Sequence, residues 1–359
     1  MIEEHICDMK HVKIHGNDFT DEIKYYLKMF SMTQKELSIR LGLSIKHINS
    51  IMNNEVNNVS ATIIEALEYA FHLEIGTLTE VYHIYNNLKT LKKNKNIEDD
   101  LKKHGIDFLI NHPELALAAN ISIHENSPLH VKLIMLKRFF GVADLANYDK
   151  YLKDNVSAEE WTYSNPNTKV WIRFCELLSI DKNIDENVGI FRKSSFNSLY
   201  HKVLTIMSNT HCSFEEKMET IKKVLLSKGI NLVTMPFIEN SLIRAIALKK
   251  GAKRYIFLSD MFNSEAYIFY SLLHEIVHCF FSNYTENKID KVVIKEYFAW
   301  EKNNPTTYKA IYDAINSYQQ CEAIQKANKN IDTSYIWSTL KDKYPYVAFD
   351  PLSDQKNKN

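Results

Sequence analysis

Residues 271–283 read SLLHEIVHCFFSN and place His274, Glu275 and His278 at the spacing H-E-x-x-H. On a helix, residues four apart share one face on successive turns, so both imidazoles reach one cation at about 2 Å. Glu275, next to the first imidazole, is turned toward water at such a site. From there it takes a proton as the water attacks a carbonyl and passes it to the leaving amine. By these residue frequencies the motif arises by chance in only a few chains per hundred of this length, on the order of. Three ionisable groups inside an apolar helix are also costly to desolvate unless they share a partner, which a zinc ion supplies.

The elements around the motif fit that role. KGINLVTMPF (228–237) alternates after a glycine, and LIRAIALKKGAKRYIFLSD (242–260) holds two strand-like runs around a Lys-Gly turn, the signature of a hairpin. SEAYIFYSLLHEIVHCFFSN follows, with Ser264 as N-cap of a helix apolar on nearly all sides. An oxyanion formed at the site needs a donor besides the metal, and Tyr284, Tyr297, Tyr308 and Arg244 have the right chemistry.

A second constellation lies in FSMTQKELSIRLGLSIKHINSIMNNE, residues 30–55. Thr33 with Glu36 reads as a capping box, Leu37 and Leu41 share a face, and Gly42 marks a left-handed helix end. Ser44 starts a second helix whose buried side is Ile48, Ile51 and Met52. Small Ser38 lets the two helices approach, so the pair is a helix-turn-helix unit. Ser44, Lys46, His47, Asn49 and Ser50 then face base edges, with Gln34 and Lys35 near the phosphates.

The 359 residues exceed what one small core accommodates, and 44 basic residues balance 44 acidic ones. Whole-chain charge therefore steers no partner, and a nucleic-acid surface must be local. Five scattered cysteines, at 7, 175, 212, 279 and 321, read as reduced thiols. No apolar run is long enough to cross a bilayer, which places the chain in the cytoplasm without a membrane partner. Scarce Gly and Pro favour helices. LKTLKKNKNIEDDLKK (88–103) reads as a linker or solvated helix, and the tail DQKNKN as frayed. In the middle, Trp171 and Phe174 read as core, and His112, His124, His130, His201 and His211 lack metal-like spacing.

The string T-Q-x-E-L-x-x-x-L-G-L-S-x-x-x-I-x-x-I resembles the lambda-repressor-like (XRE) family. Over about the first 88 residues the chain looks like the HigA-type antitoxins. That resemblance implies a homodimer that binds operator DNA and contacts a partner protein, a toxin or a repressor. It departs at MNNE (52–55), where the family has Asn-Gly. Residues 190–310 resemble the ImmA/IrrE metallopeptidases through FRKSSF, RYIFLSD and FAWEKNNP, with VWIRFCE upstream in support. Likeness to the gluzincins implies a third zinc ligand on the next helix, a glutamate in an E-A-N/D-x-F-A string. Phe298-Ala299 would put it near Val292 or Ile294, which cannot bind zinc. Glu296, eighteen positions after His278, is the nearest acid on that segment, Glu301 is the second choice, and Asp290 is a third that reads as lying on the loop before the helix.

The expectation is a mainly α protein with a small α+β part. Residues 1–88 form a lambda-repressor-like domain, 89–190 a helical connector, and 191–359 a zincin-like domain with a small sheet, the H-E-x-x-H helix and a C-terminal extension. Such a chain is a DNA-binding regulator carrying a zinc peptidase that acts on a protein partner. Alternatively, it is an antitoxin-like repressor whose peptidase-like domain is noncatalytic and serves toxin binding or sensing.

Overall fold

Helices dominate, and four short strands form one small mixed sheet. The computed structural model describes residues 14–56, 58–93, 96–180, 189–328 and 331–350. Cys7 and the DQKNKN tail lie outside them. No helix among the described residues is long and apolar enough to cross a membrane. The chain divides into two units, Met1–Leu101 with His112–Arg138, and Lys102–Asn111 with Phe139–Asn359. The middle stretch, 89–190, is thus shared between the two units.

In the first unit α1 (Phe19–Met29), α2 (Gln34–Leu41), α3 (Ile45–Met52), α4 (Ala61–Ala70) and α5 (Thr77–Lys93) enclose a core that includes Ile23, Leu37, Ile48, Leu67 and Phe71. Thr33 caps α2 by accepting from Glu36 N at 3.1 Å. The reciprocal half of the expected capping box does not form, because Glu36 binds Arg40 at 2.7 Å. Gly42 ends α2 with φ 65°, and Ser44 caps α3 by accepting from His47 N. At the MNNE departure Asn54 adopts φ 58°, a left-handed conformation that asparagine tolerates. Its side chain joins α3 to α1, donating to Asp18 Oδ2 and accepting from Thr20 Oγ1, each at 2.8 Å. A glycine could form neither bond.

The 88–103 stretch is helical. α5 reaches Lys93, and α6 (Ile97–Lys103) buries Ile97 and Leu101. α7 (Ile106–Asn111), α8 (Pro113–Ala118), α9 (Leu129–Phe140) and α10 (Leu145–Asn155) follow. A two-residue strand absent from the sequence reading, β1 (Val156–Ser157), precedes α11 (Glu160–Tyr163) and α12 (Pro166–Ile180). Trp171 and Phe174 are core residues.

After α13 (Phe196–Met207) and α14 (Phe214–Leu226) come β2 (Ile230–Thr234), β3 (Ala245–Lys250) and β4 (Lys253–Leu258). The hairpin is present, since β3 and β4 pair antiparallel from Lys250↔Lys253 to Ala245↔Leu258. Gly251, at φ 58°, supplies the turn. β2 lies parallel to β4 and β1 antiparallel to β3, so the order is β1-β3-β4-β2. Against this sheet packs α15 (Glu265–Phe280), all sixteen of whose residues are buried, flanked by α16 (Glu286–Glu301) and α17 (Ala310–Ala327). Ser264 stands before α15, yet its hydroxyl donates to Leu340 O instead of capping the helix. The expected capping is replaced by Pro345 O, which accepts from Glu265 N at 3.1 Å.

Candidate metal centre

α15 is fixed before its chemistry begins. At its first residue Glu265 meets Lys217 of α14 at 3.0 Å, both side chains buried, and the Lys217 ammonium also lies over the Tyr308 ring. Two turns on, His274 and His278 project from one face with their Nε2 atoms 3.0 Å apart. The third group is Glu286, in the first turn of α16. Its Oε2 lies 2.9 Å from Nε2 of His274 and 3.4 Å from Nε2 of His278. Ligands bonded at 2.0–2.1 Å in a tetrahedron are separated by about 3.3 Å, close to all three edges. These are the ligand atoms that could hold an ion, all within 4.8 Å of one another.

Glu296, the expected third ligand, is elsewhere. Its carboxylate faces His201 at 3.4 Å and Lys295 at 3.7 Å. Glu301 binds Tyr297 and Lys309. Helix geometry gives the reason: only Phe281 to Thr285 separate α15 from α16, so the first turn of α16 returns to His278. Glu296, ten residues later, is about 15 Å further along the axis. The overlooked signal is Glu286-x-x-x-Asp290, two carboxylates on one helical face.

Asp290, expected on the loop, lies within α16, because that helix already starts at Glu286, and it stands behind the first imidazole. Its Oδ1 accepts from Nδ1 of His274 at 2.7 Å and from Tyr270 Oη at 2.8 Å. That bond fixes the ring so that Nε2 faces the ligand cluster. Burial and the nearby Arg244 push the His274 pKa down, but the hydrogen bonds to Asp290 and Glu286 outweigh them and raise it to about 9. Burial acts to raise the Glu286 pKa, yet the two imidazoles hold it well below the ordinary carboxylate range. Asp290 is likewise lowered against burial, chiefly by His274.

Glu275 is 3 % exposed, and its Oε2 has no hydrogen-bond partner. Burial raises its pKa against the opposing pull of His278 and His274. It lines a cleft of about 290 Å³ with both imidazoles, Glu286 and Arg244. Among the four candidate oxyanion donors, Arg244 alone lines this cleft, with Nη2 3.4 Å from Nδ1 of His274. No carboxylate lies within ion-pair distance of its guanidinium among the described residues. Tyr297 points to Glu301, Tyr308 lies under Lys217, and Tyr284 stacks on Phe281.

In the first unit Gln34, Lys35, Lys46 and Asn49 are exposed, and His47 and Ser50 are half-buried. Ser44 is exposed, but its hydroxyl is engaged as the α3 cap. The chain matches no known family model, no characterised protein and no solved structure.

Proposed function

We propose that the second unit is a zinc-dependent peptidase of the ImmA/IrrE type, with His274, His278 and Glu286 as ligands. The observation that carries this reading is the convergence of those three ligand atoms beside Glu275, a buried carboxylate with one oxygen free. Two neutral imidazoles and one carboxylate are a donor set suited to zinc that leaves a coordination position open. Zinc held there supplies Lewis acidity toward a carbonyl oxygen and water. Glu275 takes the proton from the attacking water and returns it to the leaving amine nitrogen. Burial raises its pKa, which helps it hold the proton between the two transfers. Arg244 donates to the carbonyl oxygen as negative charge develops there, and Asp290 keeps His274 in register.

The first unit, in this reading, is an XRE-like module that binds operator DNA as a homodimer through α3. The peptidase then acts on a protein partner, a repressor or a toxin. Metal analysis and cleavage of an unfolded protein such as casein test the proposal. The wild type should carry one zinc per chain, and Glu275→Gln should keep the metal while losing about 10²–10⁴ in rate. A wild type that folds without binding zinc removes the enzyme reading. Stoichiometric zinc without cleavage leaves the antitoxin-like reading, in which the domain recognises its partner without cutting it.

A further inference from the structure

Two large apolar side chains on the wall of the metal-site cleft face water. Trp161 is 60 % exposed and Leu242 47 % exposed, yet both line the same cleft as His274 and Glu275. Of the chain's four tryptophans the other three, Trp171, Trp300 and Trp337, are all buried. Large apolar side chains left in water forgo the gain of burial, and beside convergent polar groups they make the usual wall of a ligand pocket.

The Trp161 ring and the Leu242 backbone are each tied to a neighbour. The Trp161 indole N–H donates to the Glu159 carboxylate, and that edge-on bond leaves the ring faces free. The Leu242 backbone N–H donates to Thr168 Oγ1 at 3.2 Å. Earlier in the same connection between β2 and β3, Pro236 O accepts from the buried Trp171 indole at 2.9 Å. A wall ordered before binding spends little affinity on ordering itself.

Resting on the peptidase reading, we propose that Trp161 and Leu242 form the pocket for a large apolar side chain of the substrate, next to the bond presented to Glu275. Continuity with the ligand cluster names the occupant: a peptide whose carbonyl reaches Arg244 lays its neighbouring side chain along this wall. Aliphatic and aromatic residues gain burial there. An acidic residue gains nothing and meets the Glu159 carboxylate on the same lining.

The test uses the zinc-loaded full chain and three probes, the hydroxamates of N-acetylleucine, N-acetylglycine and N-acetylaspartate. Binding is read from tryptophan fluorescence of the wild type, with Trp161→Ser giving the background of the other three tryptophans, and by competition with a chromogenic chelator in all variants. The leucine probe should bind at least about tenfold tighter than the other two, the discrimination that apolar contacts of this size provide. Trp161→Ser and Leu242→Ser, both at exposed positions, should each shrink that preference to about threefold or less with zinc content unchanged. Equal affinity of the leucine and glycine probes for zinc-loaded wild type overturns the inference and leaves the peptidase reading standing. So does a preference that survives both substitutions. Absence of zinc from the wild type overturns both.

Discussion

Oδ1 of Asp290 lies 2.7 Å from Nδ1 of His274, while Nε2 of the same ring faces Glu286 at 2.9 Å. One imidazole is thus gripped at both nitrogens by carboxylates four residues apart on α16. The nearer to the helix start would share the ion with it, and the other fixes its orientation. Replacing such an orienting carboxylate characteristically lowers metal affinity about 10–100-fold. Asp290→Ala should therefore weaken zinc binding by that factor in a chelator-competition titration. Unaltered affinity would mean that the His274 ring is positioned by its helix alone.

Glu286 and Glu296 make opposite predictions. Glu286→Ala removes one of three ligand atoms and should abolish stoichiometric zinc after dialysis. Glu296→Ala should leave zinc at one per chain, since its carboxylate faces His201. Metal analysis of the two purified variants decides between them, and the reverse outcome would place the site around the wrong part of α16.

What the sequence revealed and what it hid follow from how local each feature is. His274, Glu275 and His278 lie within two turns of one helix, so spacing alone displays their common face. The β3–β4 hairpin was equally legible from the Lys-Gly turn between its strands. The place of Glu286 beside the two imidazoles was not, because it depends on how tightly the chain turns from α15 into α16. A match to the Phe298-Ala299 string set the register too late along the helix. The cleft's outer wall was hidden for a different reason. β1 has two residues, too few for any alternation, and it brings Trp161 from the middle of the chain to the edge of the sheet.

The raised pKa of His274 links metal, proton and fold. Without metal, the protonated ring donates to both Asp290 and Glu286, and its folded pKa of about 9 exceeds the ordinary 6.5. The resulting stabilisation is fully present below pH 6.5 and is lost as pH rises to about 9. Zinc needs the neutral ring, so its affinity should instead rise with pH over the same window. Thermal melts from pH 6 to 9 should show the metal-free Tm falling while the increment from added zinc grows. An increment independent of pH would show that zinc displaces no proton.

On α3 the residues that hold the fold and those available to DNA are separate. Ile48, Ile51 and Met52 are buried, whereas Lys46 and Asn49 are exposed, and their side chains make no hydrogen bond or ion pair among the described residues. Lys46→Ala with Asn49→Ala should therefore leave the melting temperature within about 1–2 °C, as surface substitutions usually do. Binding to a DNA site selected from a random pool should weaken by at least about tenfold, since each base contact is worth about 1–3 kcal/mol. The salt dependence should also become shallower by about one counterion, for the lost lysine. Both effects must appear together for α3 to be the reading helix. A shallower salt slope with unchanged preference among sequences would move Lys46 to the phosphates and Asn49 off the bases. Unchanged binding on both counts would take the DNA-contacting surface away from α3 altogether.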